Sequence, residues 1–156
     1  DGSASIGICW NRTEMEGVVQ RPYRKDRLAL AVHPDHALAH RKTLRFEQTL
    51  EWEHVGLPPS SAVHGLLQQA AAKAGHTLGY RVIVSNLDAA FRVVAANLAV
   101  SVVPSQVAAP RGVKVIPLSD PWARRTFAIC HRANEALQPP AQRMVDYLVE
   151  RAAGRQ

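Results

Sequence analysis

The chain has 156 residues, 19 Lys+Arg against 13 Asp+Glu for a formal charge of +6, with 47% hydrophobic and 21% charged residues. These are the proportions of an ordinary globular domain able to bury about 70% of its unfolded surface, so disordered, collagen-like and disulfide-scaffold classes are excluded. No run approaches the roughly 18 uncharged apolar residues of a membrane span, and the opening DGSASIGICWNR lacks the basic start and long apolar stretch of a signal peptide.

The expectation is therefore a soluble, cytoplasmic protein with no membrane contact. In chain order, SIGICW (5–10) reads as a strand, and so does LALAVH (28–33). Between and beyond them the basic residues form only small groups: Arg21, Arg24, Lys25 and Arg27 around Asp26, then Arg41, Lys42 and Arg45 before Glu47, and later Arg124 and Arg125. No basic stripe, groove-entering helix or interleaved aromatics accompany them, so the charge reads as solvated surface or an attraction for anionic ligands.

The middle of the chain alternates strand and helix. HVGL (54–57) ends at Pro58-Pro59, and the apolar positions Val63, Leu66, Leu67, Ala70, Ala71 and Ala74 then mark one face of a helix. Ser60 or Ser61 can cap its start, Lys73 suits its C-terminal dipole, and Gly75 suits a left-handed C′ position. RVIVS (81–85) is a strand, Leu87–Ala96 a helix that Asn97 stops in the left-handed conformation, and AVSVV (99–103) a buried strand closed by Pro104. This alternation predicts an α/β fold with a parallel sheet covered on both faces. VKVIPL (113–118) and TFAIC (126–130) add strands. A last helix runs from about Pro140 to Ala153, with Met144, Val145, Leu148 and Ala152 on its apolar face before Gly154. Cys9 and Cys130 sit in apolar strand-like stretches and read as buried, inert thiols of a reducing compartment; a redox-sensing pair would require them to be neighbours.

In this order the segments 28–50, 54–75, 86–108 and 113–132 resemble the inducer-binding domain of LysR-type transcriptional regulators. The family's crossing strand ends in a proline–acid–His–Pro–Leu-Ala turn, matched by Pro34, Asp35, His36, Leu38 and Ala39 with Ala37 in the proline place. Its Ala-Gly-Leu-Gly turn before a proline-closed strand is matched by Ala96, Asn97, Leu98, Ala99 and Pro104. The resemblance implies a two-lobed fold of the type 2 periplasmic-binding-protein kind, with one lobe complete over about 33–116 and the other partial over 1–32 plus 117–156. The family's DNA-binding helix-turn-helix and the earlier units of its first lobe are expected to be absent from this chain, and Ser5 stands where an acidic residue is common. Uncovered apolar faces and the family habit together imply a homo-oligomer, a dimer or tetramer.

Open sheets of this kind bind ligands outside the carboxyl ends of their strands, here Leu57–Ser61, Ser85–Asp88 and Pro104–Gln106. Ser60 and Ser61 offer hydroxyls beside the outward N–H groups of a helix start, a setting for a carboxylate or other anion. Hydrogen bonds to a charged group contribute about 1.5–3 kcal/mol each, enough for micromolar binding from a few of them, although capping alone also explains both serines. The resemblance points to the same loops, giving Leu57, Pro58, Ser60, Ser61, Ser85 and Asn86 as effector-binding candidates. On the other lobe it points to the strand end Cys9, Trp10 and Asn11, with Trp10 equally readable as core, and to His131, equally readable as structural. His33, His36 and His40 are spaced like metal ligands, but nothing completes a tetrahedral set, and neither metal nor cofactor is expected. No GxGxxG, phosphate-loop, GxSxG or HExxH motif occurs, so no enzyme is expected. The function implied is an effector-binding regulatory domain sensing a small anionic or aromatic metabolite between its lobes, with DNA bound through the absent N-terminal part. Alternatives are the solute-binding component of a transporter and a two-lobed transferase.

Overall fold

A computed structural model describes residues 6–10, 16–133 and 136–153. The chain divides into two compact units, Asp1–Asp26 with Arg125–Gln156, and Arg27–Arg124. Ser5, Asn11 and Gly154 lie outside the described residues. The elements are β1 (Gly7–Trp10), β2 (Val18–Val32), β3 (His54–Gly56), α1 (Ala62–Lys73), β4 (Tyr80–Ile83), α2 (Leu87–Ala95), β5 (Ser101–Pro104), β6 (Lys114–Pro117), β7 (Arg124–Arg132) and α3 (Pro139–Ala153). No described helix is long and apolar enough to cross a membrane.

The unit Arg27–Arg124 is built around the end of β2, where Leu28, Ala29, Leu30, Ala31 and Val32 are all fully buried. The strand period of two sorts this run. Leu28, Leu30 and Val32 face a core with Phe46, Leu67, Ala71, Val100 and Ile116, whereas Ala31 joins Val55, Ala90, Phe91, Val94 and Val103. α1 therefore covers one side and α2 the other. The alternating segments pair in parallel as expected, β3 with β4 and His54 bridging Val100, whereas the flanking strand β2 runs antiparallel to both β5 and β6. A long crossing strand entering between β5 and β6 runs against both of them.

Both helices end as their sequences predict. Gly75 takes φ +74, with His76 N–H donating to the Ala71 carbonyl and Gly75 N–H to that of Ala72; Asn97 takes φ +56, with Leu98 N–H on Val93 and Asn97 N–H on Val94. These are the paired bonds of a Schellman motif at each end.

In the other unit the strand order is β1, β7, β2, with β1 antiparallel to β7. Two sequence readings are corrected here. Residues 18–27, read as a basic surface group, form the first part of the 15-residue β2; its mixed charges hid the strand because they have partners, Arg21 with the Asp146 carboxylate at 2.8 Å and Asp26 with Arg125. Arg125 is 6% exposed and clamped on both oxygens of Asp26 at 2.7 and 2.5 Å, with its guanidinium over the rings of Trp10 and Phe127. Cys9 and Cys130 are not inert thiols: they form a disulfide, and both are half-buried. The β1–β7 register sets Cys9 against Ala128 and Gly7 against Cys130, so the cysteines are diagonal neighbours with Cα atoms 6.6 Å apart, within disulfide reach. In α3, Val145 is buried and Leu148 and Ala152 half-buried, but Met144 is turned out to solvent at 56% exposure.

Candidate functional site

The parallel pairing of β3 with β4 brings two of the predicted loops together. Gly56 pairs with Ile83 and its carbonyl accepts from the Val84 N–H at 2.9 Å, so Leu57–Ser61 and Ser85–Asn86 leave neighbouring strands at the same end. Leu57, Pro58 and Ser61 are half-buried, and Ser60 and Ser85 are exposed. The loop is closed by the Ser61 N–H donating to the Pro58 carbonyl at 2.8 Å, which places Ser61 as the N-cap of α1. Its hydroxyl makes no capping bond. The serine at the helix start is thus not consumed by the helix, and the first N–H groups of α1 lie beside it.

Asn86 differs. Its carboxamide oxygen accepts from the Ala89 N–H at 2.9 Å, capping α2, and its nitrogen donates to the Ser85 hydroxyl at 3.3 Å. At the end of β5, the Ser105 N–H donates to the Arg27 carbonyl at 2.7 Å. Trp10 and His131 belong to the other unit. Trp10 faces Phe127 across the β1–β7 ladder with its ring 5.3 Å from the Arg125 guanidinium, and the His131 Nδ1 lies 3.1 Å from the Arg132 carbonyl.

Three features behind the loop were not singled out in the sequence. Gly56 has no room for a side chain: a Cβ there would meet the Tyr80 ring at 2.7 Å. The Tyr80 ring stacks in turn on His64 of α1, centroids 5.3 Å apart and planes 19° apart, and burial raises the phenol pKa above its ordinary value. His54, on β3, is fully buried with Nε2 within 3.2 Å of the Thr49 hydroxyl and 3.1 Å of its carbonyl, and its Nδ1 has no partner. Desolvation lowers its pKa from 6.5 to about 4 against the opposing Thr49 carbonyl, so the imidazole is neutral at pH 7. A glycine in a strand is the one signal in the sequence that could have pointed to this close approach.

An open hollow of about 450 Å³ lies elsewhere, lined by Asp35, His36, Glu51, Trp52, Glu53, Asn97 and Leu98 among others. It sits before β3 and β5, at the amino ends of the strands, and none of the predicted site residues lines it. Its three carboxylates oppose an anionic ligand, so the carboxyl-end loops are the better candidate. Two of the three histidines of the family-like turn are engaged within it: His33 Nδ1 accepts from the Asp35 N–H at 3.1 Å and His36 Nδ1 from the Leu38 N–H at 3.2 Å. Among the described residues no group of three or more His, Cys, Asp or Glu could hold a metal ion.

Comparison with known proteins agrees with this architecture. The family model described as the LysR substrate binding domain matches residues 1–153. The uncharacterized HTH-type transcriptional regulator YbhD of Escherichia coli (strain K12) is 27% identical over 150 residues, 94% of this chain and 47% of that protein. YwbI of Bacillus subtilis (strain 168), described in the same words, is likewise 27% identical over 94% of this chain and 50% of its own length. The chain thus spans about half the length of these curated relatives. Among solved structures, the effector binding domain of QuiR in complex with shikimate matches with a TM-score of 0.78 at 17% identity, over 97% of this chain and 73% of that one. The regulatory domain of CcmR from Synechocystis PCC6803 in complex with 2-PG matches at 0.81 and 15% identity, over 98% and 76%.

Proposed function

Since the chain belongs to the LysR substrate-binding-domain family, we propose that it is the effector-sensing part of a cytoplasmic transcriptional regulator and that it binds a small carboxylate- or phosphate-bearing metabolite at the carboxyl ends of β3 and β4. The observation that carries the reading is the start of α1, where the N-cap Ser61 leaves its hydroxyl unused beside the first helical N–H groups. Ser60, Leu57, Pro58 and Ser85 complete the loop pair, and Asn86 holds Ser85 in place. Trp10 and His131 are proposed as effector contacts on the family resemblance alone. The two units correspond to the two lobes of the family fold. DNA contacts belong to a further segment of the whole protein, and the whole protein works as a homo-oligomer. Effector binding shifts a conformational equilibrium, with a coupling of about 1–3 kcal/mol to the DNA-binding segment.

Shikimate and 2-PG, named with the two structural neighbours, are an anion of each kind and make suitable first probes. The transporter reading is not favoured, because both curated relatives are HTH-type transcriptional regulators. The test is a thermal-shift panel of small carboxylates, aromatic acids and phosphate esters containing these two, followed by calorimetric titration of any hit against Ser60→Ala/Ser61→Ala. Loss of one hydrogen bond to a charged group predicts about 10- to 150-fold weaker binding, and loss of two more than about 100-fold. An unchanged Kd in the folded double variant refutes the site.

A further inference from the structure

The hollow at the amino ends of the strands plays no part in the effector reading, and all nine of its lining residues lie in the continuous stretch Arg27–Arg124. We infer that it is a second binding site, one that takes a small organic cation: a metabolite presenting a guanidinium or alkylammonium group on a short aliphatic stem.

The topology builds the hollow from three strand ends. Because β2 runs antiparallel to β5, the turn that leaves its carboxyl end, with Asp35 and His36, lies beside the amino end of β5, where Asn97 and Leu98 arrive. β3 runs with β5 and brings Glu51, Trp52 and Glu53 to the same edge. The Val100 N–H donates to the Glu53 carbonyl at 3.0 Å and the Val55 N–H to the Val100 carbonyl at 2.7 Å, which fixes these segments against each other. The two turns that carry the family resemblance thus meet at one place. Walls held by strand pairing need little ordering when a ligand enters, and about 450 Å³ falls within the range of small-molecule sites.

The chemistry of the lining selects the sign of the ligand. The protein carries 19 Lys+Arg against 13 Asp+Glu, yet the lining holds the carboxylates of Asp35, Glu51 and Glu53 and neither Lys nor Arg. Glu53 is matched by Arg81 at 2.7 Å. The Asp35 carboxylate lies 3.8 Å from His33 Nδ1, but that nitrogen accepts the Asp35 N–H and so carries no proton. His36 does not offset the charge either: burial, and then His33, lower its pKa, so the imidazole is neutral at pH 7. Asp35 and Glu51, both exposed, are left for a ligand to compensate.

The aromatic pair states the same preference independently. Trp52 is half-buried in the wall, and the His36 ring packs against it with centroids 5.2 Å apart and planes at 61°. An indole face attracts a guanidinium or ammonium group within about 6 Å through its negative quadrupole, which repels an anion. Leu98, 52% exposed, and the small side chains Ala37 and Ala99 give an aliphatic stem apolar surface to cover. A metal ion is not the match, since among the described residues no group of three or more His, Cys, Asp or Glu could hold one.

The test titrates the 15N-labelled full chain with butylguanidinium chloride, with its uncharged isostere butylurea, and with sodium chloride at equal ionic strength. We expect saturable shifts of the Glu51–Glu53 and Asn97–Ala99 amides and of the Trp52 indole N–H for butylguanidinium alone, with a Kd in the millimolar range or below. Glu51→Gln/Asp35→Asn and Trp52→Leu each weaken this binding by about 3- to 30-fold, and Trp52→Phe restores part of it. Shifts that never saturate, equal shifts from butylurea, or an unchanged Kd in the carboxylate variant overturn the inference. Should Trp52→Leu fail to fold, the carboxylate variant, whose two changes lie on the surface, decides alone. Shikimate and 2-PG titrated into the same sample report at the Ser60, Ser61 and Ser85 amides, so the effector reading stands or falls separately.

Discussion

A pH dependence of stability follows from His54. The imidazole is 1% exposed, and its pKa falls from 6.5 to about 4 because burial penalises the charged form. A histidine with a depressed pKa contributes stability that is fully present above the unfolded pKa. That stability is lost as pH falls from 6.5 toward 4, because the unfolded chain binds a proton there that the native protein does not. At about 1.4 kcal/mol for each pH unit in this window, the loss approaches about 3 kcal/mol at pH 4, a large share of the 5–15 kcal/mol typical of a domain. His36 shifts in the same direction, chiefly through burial and then through His33, whereas the Asp146 carboxyl, held low first by its hydrogen bond from Arg21, titrates below this range. The experiment isolates His54 by difference: urea unfolding at pH 7.0 and 4.5 for the wild type and for His54→Gln, which keeps a donor for the Thr49 carbonyl and cannot titrate. The variant is expected to be less stable at pH 7 but to lose about 2–3 kcal/mol less on acidification. Equal losses in the two proteins refute the assignment of a buried neutral imidazole.

Other consequences concern packing and capping. Asp26→Asn leaves the Arg125 charge buried without its counterion and is expected to cost about 3–5 kcal/mol in urea unfolding, whereas Asp26→Leu/Arg125→Met costs far less; equal costs contradict this account. Gly56→Ala places a methyl group 2.7 Å from the Tyr80 ring and is expected to lose about 1–3 kcal/mol, most of it restored by Tyr80→Leu in the same chain. Asn86→Ala removes a real cap and costs about 1 kcal/mol, while Ser61→Ala, whose hydroxyl caps nothing, changes the thermal midpoint by less than half as much. The reverse order would return Ser61 to a purely structural role.

Local chemistry was readable from the residues. The helix-period positions Val63, Leu66, Leu67, Ala70 and Ala71, the stops at Gly75 and Asn97, and the apolar run 28–33 each encode their own conformation, because side-chain periodicity and positive φ are short-range properties. Segment order sufficed to anticipate the family, and with it the loops at the strand ends. Some features depended on register instead. Whether Cys9 meets Cys130, whether Arg125 is solvated or buried on Asp26, and whether β2 runs with or against its neighbours are decided by strand pairings between residues about a hundred positions apart, which no local pattern encodes. The same holds for the site. The sequence by itself placed serines at the start of a helix, and only the tertiary structure separated Asn86, spent as a cap, from Ser61, left free, since the two differ in whether the side chain folds back onto its own helix. Composition determined a globular basic domain and periodicity its α/β class, while long-range pairing decided the disulfide, the buried ion pair and the direction of the crossing strand.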